Sequence, residues 1–149
     1  MSGFLSGWGV RLAIVAVIIV GGFILRDRLS SSAGDLKVGD CFDVPTTADI
    51  TTIPTKPCTE PHGGEVFHAF DAPGGGAYPT DEAWGQLIFP ICDPVFKTYT
   101  GTAVEDRTDI DYLFLVPTSD RWGGGDRHVT CFIRSLDGSP LDHSYRASS

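Results

Sequence analysis

Apolar residues crowd one end of this chain and then break into short periodic runs. Residues 10–25, VRLAIVAVIIVGGFIL, are almost unbroken in their hydrophobicity. Beyond them the pattern predicts a short strand around Cys41–Val44, another over Ile53–Cys58 and a third over residues 65–70. A loop of turn formers, DAPGGGAYP, follows. Thr80 then fits a helix N-cap, with Asp81 and Glu82 in the first turn. The helix should reach Phe89. Pro90 and Pro94 are expected to break or restart it, and a second short helix should end at Gly101. IDYLFLVP (110–117) reads as a buried strand and HVTCFIRS (128–135) as another, with LDGSP a turn into a last strand. This order predicts an α+β domain, an antiparallel sheet with one helical layer.

The N-terminal run is the first feature that bears on location. Leu12–Leu25 alone covers about 21 Å as a helix, short of a ~30 Å hydrocarbon core. Extended back to Phe4 it covers about 33 Å, enough to span. Arg11 then lies inside the span, where its long side chain can snorkel toward the interface marked by Trp8. Alternatively Arg11 meets an acidic group, a lipid head group or a carbonyl on a neighbouring helix. Gly21 and Gly22 allow such a helix to approach closely. Ser31-Ser32-Ala33 offers a cleavage site for a signal peptide. The charged Arg26-Asp27-Arg28 directly after the apolar run favours an uncleaved anchor. Residues 1–28 are thus read as a transmembrane anchor, 29–36 as a juxtamembrane linker and 37–149 as the folded domain. The positive-inside count leans weakly against an extracytoplasmic C-terminus.

The cysteines argue the other way. Cys41, Cys58, Cys92 and Cys131 are an even set behind a membrane segment, and none forms a C-x-x-C pair. That pattern fits two disulfides in an oxidising compartment. Of three connectivities, Cys41–Cys58 with Cys92–Cys131 pairs neighbours in sequence and is expected here. The chain is read as single-pass in the plasma membrane, N-terminus cytoplasmic and domain extracytoplasmic. From Asp35 onward there are 18 acidic and 8 basic residues, a net of −10. So acidic a domain is not expected to bind nucleic acid through its phosphates.

Candidate chemistry concentrates in CTEPHGGEVFH (58–68), which offers Cys58, His62, Glu65 and His68. A disulfide at Cys58 removes it as a thiolate ligand. Two histidines and a glutamate do form zinc sites, but Pro61, Gly63 and Gly64 forbid the helix that the common motif needs. On a strand, Glu65 and His68 point to opposite faces. The stretch reads as a structural turn into a strand. Glu105, Asp106, Asp109 and Asp111 lack the spacing of a calcium loop and read as a solvated acidic loop. In RWGGGDRH, Asp126 and Arg127 should fix the start of a strand. The four histidines and many hydroxyls come with no G-x-S-x-G elbow. No catalytic residue, cofactor or metal is expected.

Three stretches together carry a resemblance: VGDCF (38–42), CTEPHGGEVF (58–67) and WGGGDRHVTCF (122–132). They resemble the extracytoplasmic domain of the actinobacterial septum formation family, over about Leu36 to Ser144. One departure is Gly63, where the family pattern leads one to expect Asp or another polar residue. The resemblance implies an anchored, disulfide-stapled domain and no known reaction. The expected role is a non-enzymatic accessory subunit. It would sit in the lipid bilayer by one helix and dock on an integral membrane protein complex, of the division apparatus or of a respiratory type. The alternative is a tethered binding module for cell-wall material or a cation.

Overall fold

A computed structural model describes residues 30–31, 35–46 and 52–148. Arg11, Gly21, Gly22 and the rest of the apolar run lie outside the described residues. Among those described, no helix is long and apolar enough to cross a membrane.

Six strands form one sheet: β1 (Ser30–Ser31), β2 (Cys41–Phe42), β3 (Ile53–Lys56), β4 (Gly64–Asp71), β5 (Ile110–Leu115) and β6 (His128–Ser135), and the five from β2 to β6 pair antiparallel. Their spatial order is β1-β3-β2-β4-β6-β5. The long strands β4 and β6 form the centre, and β5 lies at one edge. One helix, α1 (Asp81–Thr100), covers one face, and a single turn, α2 (Ser119–Gly123), precedes β6.

Period-2 alternation sorts the side chains. Phe67, Ile110, Val129, Cys131 and Ile133 pack toward α1, which meets them with Trp84, Ile88, Cys92, Phe96 and Tyr99. The other face gathers Phe42, Ile53, Val66 and Phe132 beneath Leu36. A register shift between Val66 and His68 leaves Phe67 unpaired on β4. Its ring sits edge-on to Phe96 and Tyr112, with centroids 5.5 and 5.3 Å away. Gly64 is required where β4 begins. A Cβ there would lie 2.8 Å from the Phe132 ring and 3.0 Å from Phe42.

The helix starts and stops as its capping residues dictate. The Thr80 side chain accepts from Ala83 N–H, and Gly101 ends the helix in the left-handed region at φ 80°. The expected break at Pro90 and Pro94 does not occur; α1 runs through both. The prolines stand four residues apart on the exposed side, where the carbonyls they leave unpaired can reach water. The opposite stripe is fully buried and is held by the Cys92–Cys131 disulfide. Nor does a last strand follow LDGSP. Leu141 makes only an isolated bridge to His62, and the chain beyond it is an extended tail.

The two disulfides join sequence neighbours, Cys41 to Cys58 and Cys92 to Cys131. They close separations of 17 and 39 residues. In the chain-entropy model these loops stabilise by about 3 and about 4 kcal/mol. Replacing Cys92 and Cys131 together by Ala should therefore cost more than replacing Cys41 and Cys58. Urea unfolding of the full chain measures both, and the reverse order would refute the loop-length account.

Candidate functional site

The antiparallel register of β2 on β4 sets Cys41 opposite Glu65. Cys58, bonded to Cys41, then starts a turn that brings His62 back beside them. His62 and Leu141 exchange both backbone hydrogen bonds, at 2.9 and 2.8 Å. The His62 ring is 1 % exposed. Its Nδ1 lies 2.8 Å from the carbonyl oxygen of Glu60 and so carries the donated proton, while Nε2 has no partner. Gly63 departs from the resemblance for a steric reason. A Cβ there would come within 2.9 Å of the Val44 backbone nitrogen.

Glu65 is wholly buried, and its carboxyl collects donors from two distant segments. Oε1 accepts from the Tyr99 hydroxyl at 2.7 Å and the Ser144 hydroxyl at 2.6 Å, and Oε2 accepts from Tyr145 N–H at 2.8 Å. Burial, and then the hydrogen bond to Glu65, push the Tyr99 hydroxyl well above the ordinary phenol range, which keeps it a donor. The tail continues across the helix end. Ala147 N–H donates to Tyr99 O at 2.7 Å, and the Arg146 guanidinium lies over the Tyr99 ring.

Donor atoms of Cys41, His62 and Glu65 lie within 4.8 Å of one another. The set does not fit a metal in this oxidised chain. A disulfide sulfur is not a thiolate, and both Glu65 oxygens are already engaged. His68 stands apart, stacked on Phe70, and burial lowers its pKa. The sequence set Glu65 and His68 on opposite faces, whereas the register shift pairs them with Ile133 and Cys131, which share a face. Sequence reasoning also missed that His62 and Glu65 meet. The available signal was an acidic residue set inside an apolar strand.

The remaining constellations are occupied locally. Arg107 forks onto both oxygens of Asp109 at 2.8 and 2.6 Å, which holds that carboxyl below its ordinary range. Arg134 forks onto both oxygens of Asp111 at 2.8 and 3.1 Å, so Asp109 and Asp111 are each held by their own arginine. Asp126 accepts from His128 N–H, and Arg127 lies 3.7 Å over the Trp122 ring. Both therefore fix the start of β6. Asp137 caps its own turn. Hydrogen bonds from the Ser135 and Ser139 hydroxyls draw it down to about 2.

Among the described residues, the most exposed large apolar side chain lies elsewhere. Phe89, on the outer side of α1, is 49 % exposed. With Phe114 of β5 and Pro90 it lines an open groove of about 610 Å³ between the helix and the sheet edge.

A family model described as Septum formation matches residues 31–147, and the chain belongs to that family. No curated protein and no solved structure matches it. The match covers every residue of the Glu65 cluster.

Glu65→Ala should cost about 3 kcal/mol, because it strands buried donors and unfastens the tail. Amide exchange at 144–147 should rise with it; unchanged exchange there would show that Glu65 does not hold the tail. Asp137 should titrate with a midpoint of about 2 in a carbon-detected NMR titration. Its folded pKa lies below the unfolded value near 4. Its stabilising contribution is therefore present above pH ~4 and is lost as pH falls through about 2. A midpoint near 4 would refute the serine contacts.

Proposed function

We propose that this septum formation protein is a non-catalytic docking subunit. It is held to the plasma membrane by its N-terminal apolar segment, with the disulfide domain on the extracytoplasmic side. The domain packs there on an integral membrane complex of the division apparatus. The family ties the chain to septum formation, a step of cell division. The observation that carries the docking reading is Phe89. A large ring left half exposed beside Phe114, over an apolar groove, is the kind of surface that a partner covers.

The rest of the domain supports a scaffold that holds this surface still. The four cysteines are consumed in disulfides, and Glu65 is consumed in fastening the tail.

The reading is tested by affinity purification of the full-length tagged protein from native membranes in mild detergent. A stoichiometric set of membrane subunits should come with it. Recovery of the bait alone would overturn the docking role.

A further inference from the structure

The groove beside Phe89 runs along an unpaired sheet edge. In the strand order β5 is terminal, with β6 on one side and no strand beyond it among the described residues. Such an edge presents free backbone donors and acceptors to an added strand. On β5, Tyr112 and Phe114 face α1, and Phe89 reaches across to both rings at 6.3 and 6.1 Å. A segment laid along β5 therefore directs alternate side chains toward the same side. One of them would enter the groove between Phe114 and Phe89.

The sequence keeps this groove open against local helix preference. Gly85 stands in the interior of α1, where alanine favours the helix more strongly. A Cβ at Gly85 would lie 3.1 Å from the Phe89 ring. Glycine lets that ring lie close across the helix and form one wall. The charge at the site is one-sided. Asp81 and Glu82 border the groove with Gln86, and no basic residue lines it. The whole chain carries −8.

From these features the geometry points to one occupant, and this rests on the docking role proposed above. We infer that β5 and the Phe89 groove bind an extended segment of a partner protein, adding it as a strand. That segment carries an apolar residue for the groove and Lys or Arg for Asp81 and Glu82. A second copy of this chain fits poorly, because it would bring the same two acids against themselves.

The test uses the full-length protein in mild detergent and a phage-displayed library of random peptides about twelve residues long. Selected peptides should alternate apolar residues and be rich in Lys and Arg. A variant with Asp81→Lys and Glu82→Lys should bind them at least about tenfold more weakly. Gly85→Ala displaces the Phe89 ring. It should weaken binding about fivefold or more while leaving the melting temperature unchanged or higher. Selected peptides without basic enrichment, or affinities unchanged in both variants, would overturn the proposal. If the protein recovers membrane subunits in native purification yet selects no basic peptide, the docking role stands and this groove is not its site. If it does neither, both fall.

Discussion

A carboxyl group taken wholly out of water must be met by donors, and at Glu65 they come from two segments far apart in the chain. Tyr99 supplies one from the last turn of α1, and Ser144 and Tyr145 supply two from the tail. An unmet carboxyl in that position would cost several kcal/mol. The requirement therefore fixes where the chain must return, against the last turn of α1. It also sets the faces of β4, since with Glu65 satisfied under the helix, Val66 must turn to the other side. Phe67 then lies on the helix side by alternation, and the register shift changes the phase of the strand beyond it.

Two other constraints lock the layers around that point. Cys92–Cys131 joins the buried stripe of α1 to the central strand β6, on the face where Phe67 and Phe96 meet. Cys41–Cys58 ties the short strand β2 to the turn that carries His62. Between them they hold a sheet whose N-terminal strands are only two to four residues long. Strands that short add little hydrogen bonding of their own. The staples and the Glu65 contacts supply what the ladder lacks.

The legible parts of this fold were those decided within a few residues. Thr80 and Gly101 mark the ends of α1 because capping is local chemistry. The alternating runs at 65–70, 110–117 and 128–135 became β4, β5 and β6 for the same reason. The prolines misled because their local preference was overridden. Ile88, Cys92 and Phe96 bury one continuous stripe, and the solvent side tolerates the missing hydrogen bonds. The strand expected after LDGSP failed because Ser144 and Tyr145 are drawn to Glu65 rather than along a neighbouring strand. The groove beside Phe89 was not legible at all. It needs Phe89 and Phe114, twenty-five residues apart, to be neighbours, and only the helix-on-sheet packing makes them so.

The tail contact also governs when the domain can become itself. Tyr145 lies eighty residues beyond Glu65 along the chain. At about 5–20 residues per second, β4 exists for several seconds before its third donor is made. During that time Glu65 has water as its partner, and the strand around it cannot close into its dry position. The buried cluster around Glu65 is therefore completed only after the segment that carries Ser144 and Tyr145 has been made.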